Sequence, residues 1–240
     1  MQLLVSVADP AEARSAVDGG ADLIDAKDPL TGALGVVSLP TLRSIHAVVS
    51  GRRVVSAALG DADDEEAVER DARAYGAVGV GFVKVGFAGI TDLTRVEQCL
   101  TAAVLGVRGA PHSCGVVAVA YADTGGVTSV APSALVSVAA RAGATGVLLD
   151  TAHKDGPGLV RLLAHEALTS WVSLAHAAGL TVAVAGRVTT DDLPWLFETG
   201  ADIVGVRGAA CETGRSSRVI ERKVRALAQA TSTAGLSPDV

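Results

Sequence analysis

The chain has 240 residues and a formal net charge of −6, with 49% hydrophobic and only 3% aromatic residues. This length exceeds that of a minimal domain and suits one barrel or one large α/β domain. The acidic balance and the scattered basic residues argue against a nucleic-acid partner, because such a surface needs Lys or Arg clustered on one face. A composition rich in Ala, Val and Gly is typical of parallel sheets that are buried on both faces.

Short apolar runs alternate along the chain with amphipathic stretches of helical length. The apolar runs predict eight strands, near residues 2–7, 22–26, 53–58, 80–85, 116–121, 146–150, 181–185 and 202–206. The stretches between them predict helices near residues 10–19, 39–50, 64–76, 91–106, 132–142, 158–178, 189–199 and 216–231. Several helix ends carry a Gly where a C-cap needs positive φ, and the next strand follows within about two residues, as in DGGADLID and ETGADIVGV.

Eight βα units in this length predict an α/β fold, a single-domain (β/α)8 TIM barrel, whose active site is built at the C-terminal ends of the strands. An open doubly wound sheet is the alternative. That fold usually has fewer strands and a glycine fingerprint after the first strand, where this chain reads SVADPAEA. We expect the barrel to span residues 1–231, and the small and polar residues 232–240 to form a flexible C-terminal tail.

The three cysteines, Cys99, Cys114 and Cys211, have no C-x-x-C spacing and are an odd number for a disulfide framework. A reduced, cytoplasmic protein fits this usage. The first residues lack a basic segment followed by a long apolar one, and no run of about eighteen apolar residues occurs. We therefore expect no membrane partner.

Lysine is the rare cation of this chain, which uses Arg sixteen times and Lys four times. Lys27, Lys84 and Lys154 each follow the end of a short apolar run, in ADLIDAK, VGVGFVK and GATGVLLDTAHK. Arg stays protonated in proteins, whereas a desolvated Lys can lose its proton and attack a carbonyl as an amine. These three lysines are therefore candidate catalytic residues.

Asp25 and Lys27 are two residues apart on an extended segment, so both side chains leave the same face of the strand. A carboxylate beside the amine can hold Lys27 in place and shuttle protons during carbinolamine formation and dehydration. It would also raise the pKa of the lysine, so a further cation or desolvation must offset it. The alternative is a salt bridge that closes the end of a strand, and this motif alone leaves both interpretations open.

Lys84 lies among apolar neighbours in GFVKVGF, and a lysine is rarely buried without a partner or a task. The alternative is a surface lysine whose stem covers apolar residues. If Lys84 and Lys27 share one barrel mouth, each cation eases deprotonation of the other, so one becomes a nucleophile and the other a proton carrier. Asp150 and Lys154, at the end of the predicted sixth strand, suggest a second pair of acid and cation on the same rim.

The segments VAGRVTTDD and IVGVRGAACETGR follow the predicted seventh and eighth strands, where such barrels commonly bind phosphate through backbone N–H groups. The candidates for phosphate binding are Gly186, Arg207, Gly208 and Ala209, although tight packing of helix on strand would produce similar turns. Asp123 ends the fifth strand, where capping of the following turn explains it equally well. We identify no set of metal ligands and expect no metal.

Taken together, these segments make the chain similar to the (5-formylfuran-3-yl)methyl phosphate synthase family, barrel enzymes that make the furan precursor of methanofuran. The resemblance covers nearly the whole chain and includes GGADLIDAKDP, GRRVVSAALGD, FVKVG, VAVAYAD, LLDTAHKDG, VAVAGRV and DIVGVRGAACETGR. It implies condensation of two molecules of glyceraldehyde 3-phosphate with loss of one phosphate and water, a carbon–oxygen lyase reaction that needs no cofactor. The resemblance further implies that Lys27 forms a Schiff base, that Lys84 accepts a proton, and that Asp25, Asp150 and Lys154 are active-site residues.

Two other functions share parts of this pattern. A class I aldolase that acts on phosphorylated sugars would use the same Schiff base but stop at the carbon–carbon bond. A non-catalytic barrel that binds a phosphorylated metabolite is disfavoured by the lysines, because Arg and backbone N–H groups suffice to capture phosphate. We expect a phosphorylated triose as the small-molecule partner, and the apolar helix faces leave room for a homo-oligomer.

Overall fold

The computed structural model describes residues 1–62, 64–123 and 128–233, and its strands confirm the predicted order. Each strand begins within two residues of its predicted start. The strands are β1 (Gln2–Val7), β2 (Leu23–Ala26), β3 (Val54–Asp61), β4 (Phe82–Gly86), β5 (Gly115–Tyr121), β6 (Gly146–Asp150), β7 (Thr181–Val184) and β8 (Ile203–Val206).

Helices follow the strands throughout the described part of the chain. They are α1 (Pro10–Asp18), α2 (Leu39–Val49), α3 (Glu65–Gly76), α4 (Leu93–Arg108), α5 (Pro132–Ala142), α6 (Leu159–Leu162), α7 (His165–Ala177), α8 (Leu193–Glu198) and α9 (Glu221–Thr233). Short 3₁₀ turns at Thr190–Asp192 and Gly208–Ala210 follow β7 and β8.

Side-chain caps decide where several of these helices begin. Asp9 accepts from the backbone N–H of Glu12 at the start of α1, and Asp64 accepts from that of Ala67 at the start of α3. The acidic stretch around Asp64 thus forms a charged first helical turn, and its carboxylates complement the helix dipole. At the other end of such a unit, Gly143 ends α5 in the left-handed region with φ 81°, which is the glycine C-cap expected from the sequence.

Two predicted helices have different bounds in the structure. The helix predicted over 158–178 is divided into α6 and α7, because Leu163 and Ala164 both adopt extended backbone. The helix predicted over 216–231 begins only at Glu221, because Val219 forms an antiparallel bridge with Cys211. This bridge folds the segment after β8 back on itself, and the folded segment becomes part of the barrel mouth.

The C-terminal helix passes the boundary predicted for the domain. α9 continues to Thr233, two residues beyond the predicted end at 231, and Thr231 is buried. The rest of the predicted tail, residues 234–240, lies outside the described residues. Within the described ranges, no helix is both long and apolar enough to cross a membrane.

The eight strands close into one barrel in sequence order, with β8 paired to β1 and every pairing parallel. The (β/α)8 prediction is therefore confirmed. Because all strands run the same way, their C-terminal ends form a single rim. The register places Asp25 of β2 directly between Ser6 of β1 and Ser56 of β3.

Successive residues of each strand face opposite sides of the barrel wall. Outward-facing residues such as Val5, Ile24 and Val83 join the helices in the main hydrophobic core. The inward positions of three strands on one side of the barrel carry small residues, which are Gly146, Ala183 and Gly205. Since these side chains cannot fill the axis, the barrel encloses a cavity of about 330 Å³.

Candidate active site

Asp25 lies at the centre of the cavity wall and is completely buried. The hydroxyls of Ser6 and Ser56 donate to its two carboxylate oxygens at 2.9 and 2.8 Å. The amine of Lys84 lies 2.5 Å from Asp25 Oδ1. Burial by itself would raise the pKa of Asp25, but Lys84, Lys27 and the Ser56 hydroxyl together hold it below its ordinary value. Asp25 is therefore a carboxylate at neutral pH.

Lys84 occupies an inward position of β4, and its side chain is only 5% exposed. The alternative of a surface lysine is thus wrong, because the amine is buried against Asp25. Reaching that carboxylate requires the lysine to cross β3, where the small Ser56 stands opposite Asp25. The structure therefore pairs Asp25 with Lys84, and not with Lys27 as the two-residue spacing suggested.

Lys27 follows β2 directly, and its backbone N–H donates to the carbonyl of Val7. The residue is 8% exposed and lines the cavity. Among the described residues its amine has no hydrogen bond or ion pair. Burial lowers the pKa of Lys27 to about 8, and the nearby cations of Lys84 and Lys154 act in the same direction against Asp150 and Asp25. Near neutral pH this amine is thus partly unprotonated.

Asp150 and Lys154 form a second buried pair at the end of β6. The Lys154 amine donates to Asp150 Oδ1 at 2.7 Å and also to the backbone carbonyl of Thr151. Burial alone would raise the pKa of Asp150, but Lys154, Lys27 and the N–H of Thr151 keep it below its usual value. The spacing of Asp150 and Lys154 in the sequence therefore predicted their pairing correctly.

The three lysines line one cavity together with both aspartates. Two of the amines are held by carboxylates, while the third is free of such a contact among the described residues. An unpaired, partly deprotonated amine between two proton-carrying pairs can attack a carbonyl and have its adduct protonated and deprotonated by its neighbours. This arrangement can support Schiff-base chemistry.

The loops after β7 and β8 also reach the cavity, where Gly186, Gly208 and Ala209 line it. Gly186 has φ 114°, and an added Cβ would lie 2.8 Å from Thr151 Cγ2, so only glycine fits there. The side chain of Arg187 is exposed, and its Nη1 donates to the carbonyl of Lys154. The backbone of both loops thus forms part of the cavity wall.

Arg207 belongs to the same wall, but its guanidinium is fully engaged within the protein. Nη1 and Nη2 donate to the carboxylate of Glu12 at 2.8 and 3.2 Å, and Nε donates to the carbonyl of Arg215. Further bonds run to the carbonyls of Ser6 and Ser217. This buried ion pair gives Arg207 the task of holding the β8 loop, and its donors are not directed to a ligand.

The cavity-lining polar side chains that sequence reasoning missed include Ser6, Ser56, Arg187 and Arg215. The two serines occupy inward strand positions, and alternation along β1 and β3 would have indicated them once Asp25 was chosen. Arg215 lies in the loop after β8, four residues beyond Cys211, and no spacing distinguishes it from its neighbours. Cys211 itself is a small buried residue, and burial raises the pKa of its thiol.

Asp123 does not line the cavity. Its carboxylate accepts from the backbone N–H groups of Ala152 and His153 at 2.6 and 2.7 Å, and the ring of His153 lies 3.1 Å from it. Asp123 therefore supports the loop that carries Lys154. The turn that Asp123 was expected to cap, at residues 124–127, lies outside the described residues.

Known proteins of one family match nearly the whole chain. The sequence profile of a family described as 4-HFC-P synthase matches residues 3–228. A (5-formylfuran-3-yl)methyl phosphate synthase from Methanopyrus kandleri is 40% identical over 232 residues, which are 95% of this chain and 98% of that protein. The protein of the same name from Methanocaldococcus jannaschii is 37% identical over 226 residues, covering 93% and 96% of the two chains.

Solved structures of low sequence identity share the fold. Phosphoribosyl anthranilate isomerase from Thermus thermophilus matches with a TM-score of 0.65 and 15% identity, over 97% of this chain and 99% of that one. KGPDC from Streptococcus mutans matches with a TM-score of 0.69 and 14% identity, over 97% and 98% of the two chains. At this identity the likeness concerns the barrel alone.

Proposed function

The chain belongs to the 4-HFC-P synthase family of enzymes, and from this premise we propose that it converts two molecules of glyceraldehyde 3-phosphate into (5-formylfuran-3-yl)methyl phosphate through a Schiff base on Lys27. The observation that carries the proposal is the amine of Lys27. It has no bonding partner among the described residues, its pKa is lowered to about 8, and it lies in the cavity with two lysine–aspartate pairs.

The connectivity of the furan product defines which carbons must react. The ring carbon that carries the phosphate-bearing CH₂ group derives from C2 of one triose, and the ring CH next to it derives from C1 of the same triose. The ring CH on the other side of the substituted carbon derives from C3 of the second triose, which has lost its phosphate. The new carbon–carbon bond therefore joins C2 of the first triose to C3 of the second.

This connectivity is what an amine catalyst provides. Lys27 attacks C1 of the first triose, and loss of water from the carbinolamine gives an iminium. The iminium acidifies the hydrogen on C2, and its removal gives an enamine whose nucleophilic carbon is C2. Elimination of phosphate from the second triose leaves an unsaturated aldehyde with an electrophilic C3, which accepts the enamine.

Ring closure then joins the C2 hydroxyl of the second triose to C1 of the first, and the Lys27 amine is released. Loss of the remaining hydroxyl as water makes the ring aromatic. The overall reaction releases one phosphate and two molecules of water, and it needs no redox cofactor. Aromatic stabilisation of the furan makes the sequence of steps favourable.

We assign the proton transfers to the two pairs beside Lys27. Lys84 and Asp25, which share a contact of 2.5 Å, take the proton from C2. Asp150 and Lys154, paired at 2.7 Å, return protons to the departing hydroxyl groups. The substrate phosphates bind to the backbone of the β7 and β8 loops around Gly186 and Gly208–Ala209, where the excess of lysines over aspartates in the cavity favours an anion.

We further propose that the protein acts in the cytoplasm. The side chains of Cys99, Cys114 and Cys211 are all free thiols, which fits a reducing compartment.

The test is product formation from glyceraldehyde 3-phosphate, followed by the near-ultraviolet absorbance of the furan and by mass spectrometry. Lys27→Ala and Lys27→Arg are both expected to abolish the furan, because Arg keeps the charge but cannot form an imine. Lys223→Arg is the matched control, since Lys223 donates to backbone carbonyls away from the cavity and should retain activity.

Other outcomes would replace the proposal with a defined alternative. Furan formation at the wild-type rate in Lys27→Ala would refute the Schiff base on this residue. A six-carbon sugar product without near-ultraviolet absorbance would identify a class I aldolase. Binding of the triose phosphate without any turnover would indicate a binding protein.

A further inference from the structure

The loop after β8 brings two arginines to the cavity wall, and only one of them forms an ion pair in the described part of the chain. Arg207 is neutralised by Glu12, and its three nitrogens all donate to protein oxygens. Arg215 has no ion pair among the described residues. Its one hydrogen bond there runs from Nη2 to the carbonyl of Gly32 at 3.2 Å. Most of its N–H donors are therefore available to a ligand in the cavity.

The surroundings of Arg215 suit a dianionic group. The side chain lines the cavity and is partly buried. Burial lowers its pKa, and the carboxylate of Asp150 opposes this effect, but an arginine remains protonated at neutral pH. Its planar guanidinium presents parallel N–H groups that match two oxygens of a phosphate.

Arg215 and Lys27 line the same cavity. Both also lie near Asp150, whose charge acts on the pKa of each of them. A triose whose aldehyde reacts with Lys27 therefore has a free arginine in the same cavity to receive its phosphate.

The bond to Gly32 links Arg215 to the loop that begins with Lys27, which we call the β2–α2 loop (residues 27–38). Ala33 and Leu34 of this loop are buried in the barrel mouth, where they join a small apolar cluster with Tyr121 and Leu148. The loop thus covers part of the rim, and Arg215 fastens its middle to the loop after β8.

We propose that Arg215 determines the specificity of this site for phosphorylated trioses. It binds the phosphate of the triose whose aldehyde reacts with Lys27, and its bond to Gly32 holds the β2–α2 loop over the bound substrate. This inference rests on the proposed function, because it takes the Lys27 adduct as the bound state. Arg215 acts here as a specificity residue, since it contacts the phosphate and not the reacting carbons.

The test compares Arg215→Gln with Arg218→Gln. Arg218 is an exposed arginine of the same loop that does not line the cavity, so it controls for the change in net charge. Trapping with borohydride and intact-mass spectrometry measure the concentration of aldehyde that half-saturates the adduct. For glyceraldehyde 3-phosphate this concentration should rise at least about tenfold in Arg215→Gln. For unphosphorylated glyceraldehyde it should not change, and Arg218→Gln should match the wild type with both aldehydes.

Equal losses with both aldehydes would overturn the proposal, because a general structural role would produce them, and so would no loss with either. Arg215→Lys keeps the charge without the planar fork, and we expect an intermediate value with glyceraldehyde 3-phosphate. A variant that melts at the wild-type temperature shows that any loss does not come from unfolding.

Failure of the proposed function gives a different result. If wild-type protein forms no adduct with either aldehyde, the Schiff base is wrong. Arg215 is then tested by calorimetric titration with inorganic phosphate, where Arg215→Gln should bind at least about tenfold more weakly than Arg218→Gln. Hydrogen exchange of residues 28–38 adds a second criterion: phosphate should slow it in the wild type and leave it unchanged in Arg215→Gln. Equal slowing in both proteins would refute the link to Gly32.

Discussion

The lowered pKa of Lys27 can be measured directly, because the chain contains only four lysines. An ordinary lysine has a pKa of 10.5, whereas burial and two neighbouring cations lower that of Lys27 to about 8. At pH 8 roughly one ordinary lysine in 300 is unprotonated, compared with about half of the Lys27 amines. The structure therefore gives Lys27 a gain of roughly two orders of magnitude in free amine.

The assay is a pH titration of protein labelled with ¹³C at the lysine Cε, followed by two-dimensional NMR. One of four signals should titrate near pH 8 and be absent from Lys27→Arg. Two variants test the cause. Lys84→Met removes a cation and frees Asp25, so the midpoint of Lys27 should move to higher pH. Asp150→Asn removes the carboxylate that raises this pKa most, so the midpoint should move to lower pH.

A Lys27 signal that titrates at pH 10 or above in the wild type would refute this reasoning. So would shifts of the same sign in Lys84→Met and Asp150→Asn, because the two variants change the local charge in opposite directions.

The remaining predictions concern the energetic cost of the site. Lys27→Met should increase the free energy of unfolding at pH 7 by up to about 3 kcal/mol, because the pKa of Lys27 is lower in the folded than in the unfolded state. This gain should vanish as the pH rises from about 8 to 10.5. A gain that urea denaturation shows to be independent of pH would contradict the prediction. Asp25→Asn leaves Lys84 buried without its carboxylate and should lower the free energy of unfolding by about 3–5 kcal/mol, most of which Lys84→Met in the same chain should restore in a double-mutant cycle. Arg207→Met should cost a similar amount, because it leaves the buried carboxylate of Glu12 unpaired, and a loss below about 1 kcal/mol in urea denaturation would show that this ion pair does not hold the β8 loop.

The barrel could be predicted from the sequence because its signals are local. Alternating apolar runs and amphipathic stretches fix the strand order, and glycine C-caps such as Gly143 mark the helix ends. The division between α6 and α7 could not be predicted, because Leu163 and Ala164 continue an apolar helical pattern and break it only by their backbone conformation. The late start of α9 depends on the bridge between Cys211 and Val219, which is a contact and not a local preference.

In the site, too, features that depend on local sequence could be predicted, whereas contacts between distant residues could not. The rarity of lysine and its place after apolar runs identified Lys27, Lys84 and Lys154, all of which line the cavity. The partner of Asp25 could not be inferred, because Lys84 reaches it across an intervening strand and only the barrel geometry brings the two together.

The arginines of the β8 loop illustrate this limit most clearly. Arg207 and Arg215 lie in one short segment and look equivalent in the sequence. What separates them is Glu12, near the other end of the chain, which neutralises Arg207 alone. The sequence could therefore indicate a candidate phosphate-binding loop, but not which of its arginines keeps free N–H donors.

The most direct test of the account is peptide mapping of protein trapped with borohydride in the presence of glyceraldehyde 3-phosphate. The account predicts one adduct per chain, on Lys27, with formation that increases as the pH approaches 8. An adduct on Lys84 or Lys154 instead, or no adduct on a folded protein that still forms the furan, would contradict it.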